Sequence, residues 1–224
     1  MIYKGGRRVH VVGIDLAGPA NHKETAVAVF KKDAESLVLK SLSFHNSDRL
    51  ILDTVSRLAS EEGQVTVGID APLSYQDGGG DRPSDKAVRS KLREAGLYHG
   101  SIMPPTLNRM VYLTLRGIHL SRALENYTGS IVEVHPGGAI GLRLKPEDRH
   151  LALSYKKSEE DRRSLLPFFE QWRMKNISPD AAETSHGLDA CAAALAAWHW
   201  ADPEHEPEIC LGADKPFHPF DFCC

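Results

Sequence analysis

Two apolar segments that end in the same tetrapeptide, an alternating stretch just after the first, and an alanine-rich helix near the C-terminus predict an α/β fold. The expected architecture is a five-stranded mixed sheet flanked by helices, an antiparallel meander followed by parallel strands. The 224 residues suffice for one domain with a sizeable core, and 42% hydrophobic with 25% charged residues is ordinary for a globular chain.

Residues 10–17 read as a buried strand, apolar on both faces, and the Gly, Pro and Asn of residues 18–23 as the turn after it. Residues 24–30 alternate and are rich in Val and Ala, so they return antiparallel. Residues 36–44 form a third strand with Leu37, Leu39 and Leu42 inward. The period then changes: Ser47 or Asp48 caps a helix with Ile51, Val55 and Leu58 on one face, ended by Gly63. Residues 65–72 are a fourth strand, reached through a helix and therefore parallel to the first.

Residues 74–126 read as a helical insertion, with Gly78-Gly79-Gly80, a helix over 84–95, a Met103-Pro104-Pro105 loop and a long helix over 107–125. Residues 131–134 are the fifth strand, stopped by His135-Pro136-Gly137-Gly138. A charged helical stretch covers 158–175, and a last helix covers 186–201 before Pro203. No repeat interrupts the chain, so residues 1–224 are expected to form a single domain.

Several classes are excluded. No run approaches the ~18 apolar residues that cross a bilayer. The first eight residues are basic but lack the apolar block of a signal peptide, so a cytoplasmic location is expected. The four cysteines show neither a Cys-x-x-Cys pair nor a zinc spacing. A net charge of −3 argues against a generic nucleic-acid coat, so polyanion binding would need local groups or bound cations.

The duplicated strand ends, Val12-Gly13-Ile14-Asp15 and Val67-Gly68-Ile69-Asp70, carry the chemistry. Side by side and parallel, they bring Asp15 and Asp70 to one height, with carboxylates roughly 5 Å apart. Two carboxylates there are costly to leave unpaired. A divalent cation removes that cost, and oxygen ligands suit Mg2+ or Mn2+. Singly, each Asp would read as a turn residue. The last helix supplies a third acidic group, Asp189, and His186 three residues before it on the same face. Its alanines allow close approach to a sheet. The alternative reading makes Asp189 a charge at the favourable end of the helix dipole and His186 a polar cap.

The order of these elements resembles the ribonuclease-H-like superfamily, and the His-x-x-Asp opening of the last helix resembles RuvC-type nuclease domains. More specifically, the chain resembles the family known as domain of unknown function 429, described as predicted nucleases. The resemblance rests on residues 13–17 and 68–74, Arg82-x-x-Asp85 with Arg89, Pro104-Pro105-Thr106, Glu133-x-His135-Pro136, and residues 186–190. It implies a nuclease that hydrolyses phosphodiester bonds of a nucleic-acid partner with two metal ions. Asp15 would bridge the ions, Asp70 and Asp189 would flank them, and His186 would position or deprotonate the water.

Further candidates carry two readings each. Glu133 is either a fourth acidic group in the site or the partner of an arginine. Arg82, Asp85 and Arg89 are either a phosphate clamp or a solvated helix face with ion pairs. Lys156, Lys157, Arg162 and Arg163, diluted by Glu159, Glu160 and Asp161, are either a nucleic-acid stripe that binds phosphate through Lys156 or a plain surface helix. His22, His45 and His205 read as surface residues, and Trp172, Trp198 and Trp200 as core or rim aromatics. Competing functions are a non-catalytic module binding nucleic acid or protein, and an ATP-binding relative of the actin and heat-shock-chaperone type. The latter is disfavoured because no second meander follows Asp70.

Overall fold

The structure is a computed structural model in which residues 9–61 and 63–224 are described. The reading of the first eight residues as free of a signal sequence lies outside the described residues.

The predicted frame is present. β1 (Val9–Asp15) pairs antiparallel with β2 (Ala26–Asp33), and β2 with β3 (Ser36–Ser43). A register shift between Val29 and Phe30 breaks the strict alternation of that ladder. Leu37 is buried, and Leu39 and Leu42 pack part-buried on the same core. Helix α1 (Asp48–Ser60) starts at Ser47, whose hydroxyl accepts the Leu50 N–H at 3.4 Å, and buries Ile51, Val55 and Leu58. It returns the chain to β4 (Gln64–Asp70), parallel to β1. Helices α2 (Pro83–Glu94) and α3 (Val111–Leu124) precede β5 (Ser130–Val134), parallel to β4.

The rest of the chain corrects the expectation. The sheet has eight strands among the described residues, not five, because three two-residue strands extend its edges. β6 (Met174–Lys175) adds to β3, β8 (Phe222–Cys223) adds to β5, and β7 (Cys210–Leu211) pairs antiparallel with β8. Pairs this short carry no alternation for sequence reasoning to detect. The charged stretch is helical only as α6 (Glu159–Gln171). The segment after β5 is helical rather than a bare turn: α4 (Pro136–Arg143), then α5 (Arg149–Ser154). The His135 ring caps α4 by accepting the Gly138 N–H at 2.9 Å, and Pro136 sits at the tolerated first position.

The sheet lies between two helical layers. One face buries Val12, Ile14, Val67 and Ile69 against α1 and α3. The other buries Val11, Ala28, Phe30 and Val132 against α4, α5, α6 and the final helix, α7 (Ser185–Ala201). No helix among the described residues is long and apolar enough to cross a membrane.

Candidate functional site

The repeated tetrapeptide has a packing reason. Alternate strand residues share a face, so Gly13 and Gly68 point away from their Ile neighbours, toward α7. A Cβ at Gly13 would fall 2.0 Å from the Ala190 carbonyl oxygen, and one at Gly68 would fall 2.4 Å from that of Ala193. The two glycines and the helix alanines together let α7 lie directly on β1 and β4. Asp15 and Asp70, two residues further along, share that face and are register partners across the parallel pair.

Asp15, Asp70 and Asp189 form one electrostatic cluster. Asp189 is 1% exposed and Asp15 is 8% exposed. Burial, then the charge of Asp15, holds the Asp70 carboxyl well above the ordinary carboxylate range. Close approach of the Asp15 carboxyl adds to that rise. Burial also raises Asp189. Its Oδ1 accepts the Tyr155 hydroxyl at 2.6 Å, and its Oδ2 lies 3.2 Å from the Lys156 ammonium. Burial pushes the Tyr155 phenol up, which keeps it a donor. Lys156 is raised chiefly by Asp189 and also feels Asp70 and Asp15. His186 reaches over from α7, and its Nδ1 stands 2.6 Å from Asp15 Oδ2. That hydrogen bond raises its pKa above the ordinary 6.5. No protein donor meets the Asp70 carboxylate among the described residues.

The donor chemistry suits a hard divalent cation: clustered carboxyl groups, mutually repelling, with Asp70 meeting no donor among the described residues. The fit is partial. Among the described residues no group of three or more His, Cys, Asp or Glu side chains is arranged to hold a metal ion. Tyr155 and Lys156 meet both Asp189 oxygens. Asp15 Oδ1 and the Asp70 carboxylate are the oxygens left to a cation.

The other candidates form a second cluster. Arg82 and Asp85 are each 2% exposed, which overturns the solvated-face reading for both. The Arg82 guanidinium donates to Asp85 at 3.0 and 2.7 Å, to Glu133 at 2.8 and 2.5 Å, and to Ser74 Oγ at 3.1 Å. All five of its donors are used, leaving none for a substrate phosphate. Glu133 also accepts the Leu73 N–H at 2.8 Å, so it serves as an arginine partner. Arg89 is bound to Asp81 and the Ile102 carbonyl. A 60 Å³ cavity lined by Asp70, Arg82, Asp85, Glu133, Ser101 and His135 joins the two clusters. His135 is neutral there, since burial lowers its pKa to about 3. Its Nδ1 accepts the Gly138 N–H, so its Nε2 carries the proton toward Ser101 Oγ, 2.8 Å away.

The basic stretch divides. Lys156 faces the acidic cluster, whereas Arg162 is buried and donates to the carbonyls of Tyr155, Ala182 and Glu183. The surface-helix reading therefore fails for Arg162. Arg163 pairs with Glu159 on the surface. His22 and His45 are exposed, but His205 packs tilted against Trp198, 4.4 Å between centroids. The part in the site of Tyr155 has no sequence signal, because nothing in a helix end marks which carboxylate it will meet.

Fold and site define an α/β protein with an acidic cluster at the tips of two parallel strands, overlaid by a helix carrying His and Asp. The chain belongs to the family described as Protein of unknown function (DUF429), which it matches over residues 13–211. No curated protein and no solved structure matches it.

Proposed function

We propose that this chain is a divalent-metal-dependent phosphodiesterase of ribonuclease-H-like fold acting on nucleic acid, with Asp15 and Asp70 as the primary cation ligands. The observation that carries this reading is the in-register pair of carboxyl groups, one of which, the half-buried Asp70, meets no protein donor among the described residues. Magnesium or manganese bound there supplies a Lewis acid and lowers the pKa of a water it holds.

The chain's own residues supply the rest. Asp15 Oδ2 fixes the His186 ring through Nδ1, which leaves Nε2 to take a proton from water. Asp15 Oδ1 stays available to the cation. Lys156, half-exposed and tethered to Asp189, offers its remaining ammonium protons to a phosphate oxygen. A two-ion arrangement needs Asp189 released from Tyr155 and Lys156; one ion needs only Asp15 and Asp70.

Manganese titration by calorimetry tests the proposal, and its stoichiometry separates one ion from two. Asp15→Asn and Asp70→Asn are expected to abolish binding and, with it, hydrolysis across single-stranded, duplex, hybrid and branched substrates. Unchanged manganese affinity in folded Asp70→Asn overturns the assignment. A second reading, a non-catalytic binding module, is favoured by the Lys156–Asp189 pair, which already neutralises one carboxylate. Nucleic-acid binding without turnover in manganese would support it.

A further inference from the structure

The cysteines hold a relationship that their spacing hides. Cys210 and Cys223 are directly opposite one another in the antiparallel β7–β8 pair. The Cys224 N–H donates to the Ile209 carbonyl at 2.9 Å. By the alternation of an antiparallel ladder, the 210/223 position is therefore the non-hydrogen-bonded one, where facing side chains come closest, with Cα atoms ~4.5 Å apart. That separation lies within the range a disulfide spans.

We propose that Cys210 and Cys223 are a redox-modification site, closing a reversible cross-strand disulfide by exchange with a small-molecule disulfide such as oxidised glutathione. The accessible partner acts first, since Cys210 is exposed and Cys223 is buried. The Cys210 thiolate attacks one sulfur of the small disulfide, whose S–S bond breaks and releases one thiolate. Cys223 then attacks the Cys210 sulfur of the mixed disulfide and gives up its proton to the departing thiolate. Two protein thiols are oxidised, and one small disulfide is reduced to two thiols. The exposure of Cys210 against the burial of Cys223 sets this order of attack.

The hairpin holds the pair in register before any bond forms. Asp221, next to β8, accepts the Ala213 N–H and the Trp200 indole N–H, each at 2.8 Å, and its carbonyl accepts the Glu133 N–H at 2.9 Å. Cys191 and Cys224 are both buried and have no place in this ladder position. The link would fix β7 on β8, whose Phe222 lies over the Arg82 guanidinium at 5.7 Å. It would also pin one wall of the 350 Å³ cavity lined by Cys210, Arg82, Glu133 and Phe222.

The test is incubation of the full chain with graded ratios of oxidised to reduced glutathione, followed by thiol counting and peptide mass spectrometry without reductant. The expected result is a fall from four free thiols to two, with a Cys210–Cys223 cross-linked peptide that reduced glutathione reverses. Cys210→Ser, at an exposed position, should fold and form no internal link, while Cys224→Ser should still form it. Four thiols persisting at every ratio, a glutathione adduct on Cys210 that never resolves, or an internal link surviving in Cys210→Ser would each overturn the proposal.

Discussion

Two acidic clusters share the wall of one small cavity, and they are built on opposite principles. Around Arg82, two carboxylates meet a guanidinium whose every donor is matched, and backbone N–H groups of Arg82 and Leu73 complete the set. Around Asp70, three carboxyl groups are supported by one imidazole, one phenol and one half-exposed ammonium, and Asp70 itself has no donor among the described residues. The first cluster resembles a structural ion-pair network, in which breaking a partner leaves a stranded charge. The second keeps like charges together in a poorly solvated place, an arrangement that costs stability. Arginine and carboxylate content alone does not separate the two; donor count does.

The largest expected effect comes from Arg82→Leu. It strands the Asp85 and Glu133 carboxylates and should cost ~3–5 kcal/mol of unfolding free energy in urea titration. A loss below about 1 kcal/mol would show that the matched cluster is no more structural than an exposed pair, and the contrast would collapse.

Asp70→Asn should act in the other direction. The folded-state pKa of Asp70 lies above the 3.8 of an exposed aspartate. The folded chain therefore holds a proton there that the unfolded chain has released, and metal-free stability falls as pH rises above about 3.8. Removing the charge should raise the melting temperature at pH 7 in chelator, with no gain below pH 3.8. Destabilisation at pH 7 would assign Asp70 a structural role.

The smallest effect belongs to His186. Its pKa is raised, so the stabilisation from pairing with Asp15 is full below 6.5 and is lost as pH rises through the folded-state value. The side chain is 37% exposed, which limits that contribution to less than about 1 kcal/mol. An NMR titration of the imidazole should give a midpoint above 6.5 in the wild type and a lower one in Asp15→Asn. Equal midpoints would remove His186 from the dyad.

Sequence reasoning succeeded where a residue's role follows from periodicity. The duplicated tetrapeptide predicts the Asp15–Asp70 register, and the His186-x-x-Asp189 spacing on an alanine-rich helix predicts a helix laid close on the sheet. It failed where a role depends on which distant group arrives. Arg82, Asp85 and Arg89 at helical spacing fit an exposed face equally well, because charge spacing along a helix does not encode burial. Lys156 and Arg162 look alike in a basic stretch, yet one faces Asp189 and the other is buried among carbonyls. Cys210 and Cys223 stand opposite each other only because a two-residue strand adds to the sheet edge.

The amino-acid order by itself determined the α/β class, the central strands and the two strand-tip carboxylates, since hydrophobic periodicity and chain connectivity are local properties. Only the tertiary structure decided how each charge is compensated. It is packing between segments far apart in the chain that brings Tyr155 and Lys156 to Asp189, gives Arg82 to Glu133, and leaves Asp70 without a donor among the described residues.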